Sequence, residues 1–315
     1  MPGQTTMRTV VMDRFGPPDV LHVTRVPVPE PGHGEVLVAV HAAAVNAIDW
    51  KTRAGRGVPV EGFPAVLGWD ISGTVVATGP GTSRLQVADE VFGMLRFPEL
   101  AGGYAEYVAA PEDELARKPA TIAHRTAAGA MVALTAWETL FEQAGLVAGQ
   151  RVLVHGAAGG VGHIAVQLAG WAGAAVIATA SVRNRAFLLG LGAHEVVDYT
   201  TTRVEDAVRD VDVVVDTRGG ADFVRLLGTL RPGGIIVTIL GHDLSQDEAV
   251  EARGVRAGFT YVAPNTATLD RVAELIAAGS LRIHPDRAFP LEVVADAHAV
   301  GEGGHVRGLL LLELR

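Results

Sequence analysis

Short apolar runs alternate with longer segments through the middle of the chain. The runs lie at residues 151–155, 174–180, 211–217 and 234–240. Continuous apolar runs of this length are typical of strands that are buried on both faces of a parallel sheet. Each segment between two runs is long enough to hold a helix. Strands that alternate with helices predict an α/β fold with a doubly wound parallel sheet.

The first part of the chain has a different pattern. Strand-like runs at 8–13, 21–26 and 36–42 are separated by stretches rich in proline and glycine. Further on, Gly and Asp recur at short intervals, which is typical of tight turns between short strands. This part therefore predicts a separate β-rich domain.

The glycine-rich stretch after the run at 151–155 predicts a dinucleotide site. Ala157, Gly159 and Gly162 match the dinucleotide-binding spacing with Ala in the first position, and the residues that follow suit a helix. A turn with few side chains lets backbone N–H groups approach a pyrophosphate, and the helix N-terminus adds a favourable dipole. The bare pattern also fits an ordinary turn, and the strand and helix around it favour the cofactor. The residues expected to contact it here are Ala158, Gly159, Gly160 and Val161.

The end of the second apolar run indicates which nicotinamide cofactor is bound. An NAD site places an Asp or Glu there, whereas this chain has no acidic residue between Glu142 and Glu195. A small hydroxyl residue and arginines suit a 2′-phosphate, because guanidinium groups bind phosphate oxygens. We therefore expect NADPH; the alternative is that the arginines are solvated residues of a surface helix. The residues assigned to this part of the site are Thr179, Ser181, Arg183, Asn184 and the nearby Arg185.

Composition narrows the class of protein. The chain has 315 residues, of which 49% are hydrophobic and 19% charged, which is typical of a globular protein large enough for two domains. It has no cysteine and no histidine pair at metal-ligand spacing, so no metal site is expected. A net charge of −9 argues against nucleic-acid binding as the main function. Without an apolar run long enough for a bilayer, and with no signal sequence in MPGQTTMRTVV, we expect a cytoplasmic protein.

An ordered series of motifs covers nearly the whole chain. The motifs are NAIDW at 46–50, FPAVLGWDISGTV at 63–75, DEVFG at 89–93, GGYAEYV at 102–108, LTAWETL at 134–140, VLVHGAAGGVGHIAVQLA at 152–169, LGAHEVVDY at 191–199, LRPGGIIV at 230–237 and FPLEVVADAH at 289–298. This series resembles the medium-chain dehydrogenase/reductase superfamily, in particular its zinc-independent quinone oxidoreductase branch. The resemblance implies a GroES-like β domain, completed by the C-terminal segment, around a central Rossmann domain. It places the GroES-like domain at 1–125 and 266–315 and the Rossmann domain at 126–265.

Zinc-dependent members of this superfamily have a Cys in the first active-site loop and Gly-His-Glu in the second. This chain has Asn46 and Asp49 in the first loop and Gly68-Trp69-Asp70 in the second. The metal that polarises an alcohol oxygen is therefore not expected, and alcohol dehydrogenation of the zinc type is disfavoured.

The resemblance also implies roles for individual residues. Asn46 and Asp49 are placed at the cleft between the domains as catalytic residues. Asn46 is also a cofactor contact, because its amide can donate to a substrate oxygen or to the amide oxygen of the nicotinamide. Asp49 also suits a structural role, capping the short helix or pairing with Arg53. Thr135 is placed at the nicotinamide, and Trp137 either lines the pocket or packs in the core. Further cofactor contacts are implied at Tyr199, Leu240, Gly241, Tyr261 and Val262.

Together these features predict an NADPH-dependent reductase of quinones or α,β-unsaturated carbonyls. A different class remains open, an NADPH-binding redox sensor or structural protein with little catalysis, because the loop at 54–62 lacks the aromatic residue found in several quinone reductases. Nucleic-acid binding as a side activity rests only on Arg183 and Arg185. The resemblance implies a homodimer joined edge to edge through the Rossmann sheets, with the strand at 233–240 expected at the edge.

Overall fold

A computed structural model describes residues 5–241 and 244–315. Its contacts divide the chain into two compact units. The first unit comprises the chain up to Met131 together with Ala263–Gly279 and Ile283–Arg315, and the second unit comprises Val132–Val262 and Ser280–Arg282. The domain boundaries expected at 125/126 and 265/266 stay a prediction.

The described residues form fifteen strands and ten α-helices. The strands are β1 Thr6–Met12, β2 Leu21–Pro27, β3 Glu35–Val45, β4 Asp70–Thr78, β5 Glu90–Met94, β6 Tyr107–Pro111, β7 Leu115–Arg117, β8 Arg151–His155, β9 Ala175–Ala180, β10 Glu195–Asp198, β11 Val211–Asp216, β12 Leu230–Thr238, β13 Arg256–Phe259, β14 Pro285–Pro290 and β15 Leu309–Glu313. The helices are α1 Ala47–Arg53, α2 His124–Ala127, α3 Ala130–Trp137, α4 Gly160–Trp171, α5 Arg185–Gly190, α6 Val204–Ala207, α7 Ala221–Leu226, α8 Leu244–Arg253, α9 Thr266–Ala277 and α10 Val294–Glu302.

The second unit contains a six-stranded parallel sheet in the order β10-β9-β8-β11-β12-β13. The order reverses beside β8, so the turns that follow β8 and β11 lie at the position where α/β sheets bind ligands. The predicted doubly wound parallel sheet is confirmed. All four apolar runs are strands, because in a sheet covered by helices on both faces alternate positions need not be polar.

The core of this unit is a cluster of buried aliphatic residues around Phe223, which is fully buried in α7. It includes Leu153 of β8, Val214 of β11 and Ile236 of β12. These three strands are central in the sheet, and their apolar side chains bury α7 against it. This packing holds the carboxyl ends of the strands in fixed positions relative to one another.

The first unit contains a seven-stranded sheet, with the path β14-β15-β3-β4-β5-β7 and β6 paired with β3, and a separate β1-β2 hairpin. Most pairs are antiparallel, and β15 close to the C-terminus pairs with the second half of β3. The predicted β-rich domain is confirmed as a GroES-like unit. Helix α1 follows β3 directly and therefore starts at the end of a central strand.

The expected position of one edge strand is wrong. The strand at 233–240 falls in β12, which pairs with β11 on one side and β13 on the other. Both of its ladders are therefore occupied, and it has no free edge for a second copy. Among the described strands of this sheet, β10 and β13 lie at the edges.

We expect Phe223→Ala to lower the free energy of unfolding by about 3–5 kcal/mol, because it opens a cavity in the core of the second unit. Val224 is the matched control, since it lies next in sequence and is 45% exposed. Urea unfolding of both variants checks this. Equal losses in Phe223→Ala and Val224→Ala would contradict it.

Candidate functional site

The turn between β8 and α4 presents backbone N–H groups at a helix N-terminus. Gly156 has φ +76°, and Gly159 precedes the helix as its N-cap without a side-chain cap. The first hydrogen bond of the helix runs from the His163 N–H to the Gly159 carbonyl at 3.0 Å. The N–H groups of Gly160, Val161 and Gly162 therefore precede this bond and point out of the helix end, where the dipole favours an anion.

The glycines of the turn have two different roles: one allows close backbone packing, and the other leaves space for a ligand. A Cβ on Gly162 would lie 2.5 Å from the Gly156 carbonyl oxygen and 2.7 Å from the Ala157 Cα, so only glycine lets the helix start this close to the strand end. A Cβ on Gly159 would meet only the Gly156 oxygen, at 3.5 Å. Space thus remains over Gly159 for a ligand, and the turn fits the pyrophosphate of a dinucleotide.

Three hydrogen bonds fix the turn. The Gly156 N–H donates to Thr179 Oγ1 at 3.2 Å, the Ala157 N–H to the Thr179 carbonyl at 3.1 Å, and the Gly159 N–H to the Gly156 carbonyl at 3.1 Å. Thr179 lies on β9, the neighbouring strand. The structure thus places the predicted contact residue Thr179 against Gly156 and Ala157, which directly precede the predicted contact residues 158–161.

The end of β9 carries the remaining residues assigned to the adenosine side. Ser181 precedes a 3₁₀ turn at Val182–Asn184, and its carbonyl accepts the Asn184 N–H at 2.9 Å. Arg183 is exposed and Asn184 is buried. Arg185 donates from Nη1 to the Val196 carbonyl at 2.8 Å, so one of its nitrogens serves the fold.

Tyr199 follows the carboxyl end of β10, beside the carboxyl end of β9. Asp198 at the end of β10 pairs with Ala180 at the end of β9, so Tyr199 and Ser181 come directly after paired residues. The Tyr199 side chain is 48% exposed, and the Asp198 carboxylate accepts hydrogen bonds from Thr200.

The carboxyl ends of β12 and β13 hold four more predicted contacts. Thr238 ends β12; its hydroxyl accepts the Leu240 N–H at 3.2 Å, and its carbonyl accepts the Thr260 N–H at 3.0 Å. The side chains of Leu240 and Tyr261 are exposed. The four residues Leu240, Gly241, Tyr261 and Val262 therefore follow adjacent strands at one edge of the sheet.

Thr135 and Trp137 lie on α3. The Thr135 carbonyl accepts the Thr139 hydroxyl at 2.7 Å, and Thr135 itself is buried. The Trp137 ring packs edge-on against Phe141 at 4.7 Å and lies 6.2 Å from Trp171, centroid to centroid. These aromatic contacts show that Trp137 packs in this unit, as one of the two expected roles requires. A role in the pocket stays a prediction.

Two polar residues at the carboxyl ends of the strands were not identified as site residues from the sequence. His155 ends β8 and Asp216 ends β11, and both are buried. Asp216 Oδ1 accepts the N–H groups of Arg218 and Gly219, whereas Asp216 Oδ2 is buried and has no partner among the described residues. A signal was available, because each is a polar residue at or next to the end of an apolar run, where the strands of such a sheet bind ligands.

In the first unit, Asn46 and Asp49 meet at the start of α1. Asn46 is the N-cap, and its N–H donates to Asp49 Oδ2 at 2.8 Å. Asp49 therefore caps the helix, as the structural alternative expects. It does not pair with Arg53, whose guanidinium binds Glu302 at 2.6 Å. A catalytic role for Asp49 stays a prediction.

Asp70, at the start of β4, orients the Asn46 side chain. Asn46 Nδ2 donates to Asp70 Oδ2 at 3.2 Å, and Asp70 Oδ1 accepts the Met131 N–H at 2.9 Å. The amide of Asn46 thereby keeps a second Nδ2 hydrogen for another acceptor. Position 70 was noted in the sequence only as a departure from the zinc pattern, and its contact with Asn46 depends on the pairing of distant segments.

Burial changes the ionisation of both carboxyl groups. It raises the pKa of Asp70 from its ordinary 3.8 to about 7, and the pKa of Asp49 likewise to about 7, against the opposing effect of the N–H donors. The Tyr104 hydroxyl faces Asp49 and its own pKa is raised by burial. Neither Tyr104 Oη nor Asp49 Oδ1 has a hydrogen bond of normal geometry within the described part of the chain.

The described residues lack two other kinds of feature. Among residues 5–241 and 244–315, no group of three or more His, Asp or Glu side chains is arranged to hold a metal ion. Over the same residues, no helix has the length and hydropathy that crossing a membrane requires.

The parallel sheet with its glycine turn and the GroES-like unit define the class of two-unit dinucleotide-binding proteins. Two family models match: the alcohol dehydrogenase GroES-like domain at residues 32–120 and the zinc-binding dehydrogenase at 191–312. The quinone oxidoreductase of Coxiella burnetii is 36% identical, with TM-score 0.92, 98% of this chain and 100% of that chain covered. The Escherichia coli quinone oxidoreductase, solved with NADPH, is 25% identical, with TM-score 0.89 and the same coverage.

A curated relative agrees with these structures. The chloroplastic NADPH-dependent alkenal/one oxidoreductase of Arabidopsis thaliana is 32% identical over 97% of this chain and 79% of its own length. The chain belongs to the medium-chain dehydrogenase/reductase superfamily, as its motifs predict. The comparisons support an oxidoreductase that uses a nicotinamide cofactor.

The buried acids predict a pH-dependent stability. Because the pKa of Asp70 is about 7 in the folded protein and near 3.8 in the unfolded chain, its contribution is fully present below pH 4 and is lost as the pH rises through 7. The loss corresponds to about 4 kcal/mol at most. Compared with Asp70→Asn, the wild type should lose stability over this interval in urea unfolding between pH 4 and 8.

The comparison between variants cancels the titrating groups that Asp70 does not affect. Asp49 is the exception, because the charge of Asp70 helps to raise its pKa, and the measured difference therefore includes this coupling. Burial, together with the nearby Arg53, lowers the pKa of His298 to about 3, which acts in the opposite direction but equally in both proteins. Asp198→Asn is the matched control, because Thr200 holds the pKa of this exposed carboxyl below its ordinary value. A difference between wild type and Asp70→Asn that stays constant with pH would show that Asp70 does not titrate in this range.

Proposed function

We propose that this protein is an NADPH-dependent, zinc-independent reductase of quinones or α,β-unsaturated carbonyls. One observation carries the proposal. The carboxyl ends of β8 and β9 combine a turn that fits a pyrophosphate with Ser181 and Arg183, and no acidic residue lies between Glu142 and Glu195. A hydroxyl and a guanidinium suit a phosphate on the adenosine ribose, which a carboxylate would repel.

The relatives support the same cofactor and substrates. The Escherichia coli neighbour was solved with NADPH, and the Arabidopsis relative is named for NADPH and for alkenal and alkenone substrates. Conjugated carbonyls take up charge on their oxygen as a hydride arrives, so such a reduction does not require a metal to polarise the acceptor. This is consistent with Asn46 and Trp69 at the loop positions where zinc-dependent members have Cys and His.

The residues of the chain have distinct tasks in this proposal. The bound cofactor supplies a hydride from C4 of its nicotinamide ring. The N–H groups of Ala158, Gly160 and Val161 would hold the pyrophosphate over Gly159, whose own N–H donates to the Gly156 carbonyl, and Ser181 with Arg183 would hold the 2′-phosphate. The second Nδ2 hydrogen of Asn46 donates to the substrate oxygen, while Asp70 and the Asp49-capped helix hold Asn46 in place. Thr135 and Trp137 are assigned to the nicotinamide and the pocket wall.

The proposal also includes a cytoplasmic homodimer. A second copy would pair with a free edge of the parallel sheet, and β13 is an edge strand whose Phe259 is 41% exposed. Sedimentation at micromolar concentration tests it. A monomer would contradict the dimer without affecting the proposed reaction.

We expect Ser181→Ala and Arg183→Ala to remove a preference for NADPH over NADH. The wild type should favour NADPH by tenfold or more, because one phosphate contact contributes about 1.4 kcal/mol or more. Fluorescence titration with both nucleotides measures this. Equal affinity of the wild type for NADH and NADPH would overturn the cofactor assignment.

Turnover is then tested with quinones, enals and enones as acceptors. NADPH binding without turnover on any of them would overturn the reductase assignment and leave a cofactor-binding sensor.

Two alanine substitutions should separate the tasks of the glycines. Gly159→Ala should keep the stability of the fold but weaken NADPH binding, because its methyl group occupies the space left for the pyrophosphate. Gly162→Ala should lower the unfolding free energy by about 1–3 kcal/mol, because its Cβ collides with backbone. Thermal unfolding and nucleotide titration of both variants check this. Unchanged NADPH affinity in Gly159→Ala would place the pyrophosphate elsewhere.

A further inference from the structure

His155 is a buried polar residue that the proposed reaction does not use. It ends β8, immediately before the cofactor turn, and is 6% exposed. Its Nδ1 lies 2.9 Å from Thr179 Oγ1, and its Nε2 lies 3.2 Å from Asp222 Oδ2 in the first turn of α7. Thr179 Oγ1 in turn accepts the Gly156 N–H at 3.2 Å. These contacts form an unbroken series from α7 to the backbone of the turn.

With a neutral ring, Asp222 fixes the proton positions along this series. The Asp222 carboxylate can only accept, so His155 Nε2 carries the hydrogen and donates it. In the neutral ring Nδ1 is then an acceptor, and it takes the hydrogen of the Thr179 hydroxyl. The Thr179 oxygen is left to accept the Gly156 N–H. Asp222 therefore determines, through His155, that the Thr179 hydroxyl hydrogen points to His155 Nδ1 and away from the Gly156 N–H.

We propose that Asp222, His155 and Thr179 form a hydrogen-bond relay that holds the Gly156 turn in the conformation that binds the cofactor. His155 and Asp222 are positioning residues in this relay, because they act on the cofactor through Thr179 and the turn backbone. The inference rests on the proposed cofactor site for its functional consequence. Its structural consequence, an ordered Gly156 turn, does not depend on any ligand.

The surroundings of His155 favour the neutral ring that the relay needs. Burial lowers the pKa of His155; among the charged neighbours, Asp216 at the end of β11 raises it, and Arg218 and Arg225 lower it. Asp222 is the fourth charged group, and it is itself paired with Arg225. A charged ring would carry a hydrogen on Nδ1 and displace the hydrogen of the Thr179 hydroxyl.

The backbone of the turn explains why such a relay is useful. Gly156 has a positive φ, a conformation that glycine adopts with the least steric strain. Because glycine has no side chain, it also changes to other backbone conformations most easily. A turn that samples several conformations binds a ligand more weakly, because its ordering must accompany binding. Fixing the Gly156 N–H from the protein interior removes part of that freedom before the cofactor arrives.

The test replaces the hydroxyl without changing side-chain shape. Thr179→Val is nearly isosteric and removes the relay oxygen, whereas Thr179→Ser keeps it. Asp222→Ala removes the group that fixes the proton positions. Thr229→Val is the matched control: Thr229 is also a fully buried threonine of the second unit, with its hydroxyl bonded to the Leu226 carbonyl at 2.7 Å, far along the chain from the turn.

Two readouts are measured for each protein. The first is amide hydrogen exchange of the turn peptide spanning residues 153–161 without cofactor. The second is NADPH affinity by fluorescence titration, together with KM for NADPH and kcat. We expect faster exchange of the turn and about tenfold weaker NADPH binding in Thr179→Val, an intermediate effect in Asp222→Ala, and wild-type behaviour within about threefold in Thr179→Ser and Thr229→Val. In Asp222→Ala, which lies outside the proposed cofactor contacts, KM for NADPH should rise while kcat at saturating NADPH stays close to wild type.

The outcomes separate this inference from the proposed function. If the wild type binds NADPH and Thr179→Val matches it in both exchange and affinity, the relay is overturned and the cofactor site stands. If the wild type binds no nucleotide but Thr179→Val and Asp222→Ala both speed exchange of the turn, the proposed function fails and the relay stands as a structural device. Equal acceleration by Thr229→Val would show general loosening of the unit, which also overturns the relay.

Discussion

The close approach of α4 to the end of β8 is the constraint on which the second unit depends. It exists because Gly162 has no Cβ, which would lie 2.5 Å from the Gly156 carbonyl oxygen. The approach fixes where the helix begins, and thus where its first N–H groups point. The pairing of β8 with β9 places Gly156 beside Thr179, which also contacts His155, so the glycine turn is tied to the interior of the sheet.

The first unit contains two buried carboxyl groups. Asp49 and Asp70 are fully buried, and N–H donors satisfy part of each carboxyl group. Burial without a paired cation is unfavourable for the charged form, which is why the pKa of both groups is raised to about 7. The raised pKa values predict that the unit loses stability toward neutral pH, while Asp49 and Asp70 hold Asn46 at the start of α1. Such a cost is typical of residues kept for a functional arrangement.

Patterns along the chain predicted much of this, because some constraints are local. The run at 151–155 is confirmed as β8 and the glycine turn as the start of α4, since a buried strand, a tight turn and a helix N-terminus each have a local residue pattern. The edge assigned to the strand at 233–240 is wrong because its uncharged residues suit a free edge and a central strand equally well. Only the later strand β13, a short and half-exposed segment with a weak pattern, covers it.

The sequence by itself determined the superfamily, the two kinds of unit and the position of the glycine turn before α4, since each depends on spacing between near neighbours. It also showed that no cysteine and, between Glu142 and Glu195, no carboxylate is present. Only the tertiary structure decided which distant polar groups meet. His155 contacts Asp222 across 67 positions, and Asn46 contacts Asp70 across 24, because strand order and helix packing set these distances. Side chains that are brought together by sheet topology leave no periodic signal in the chain.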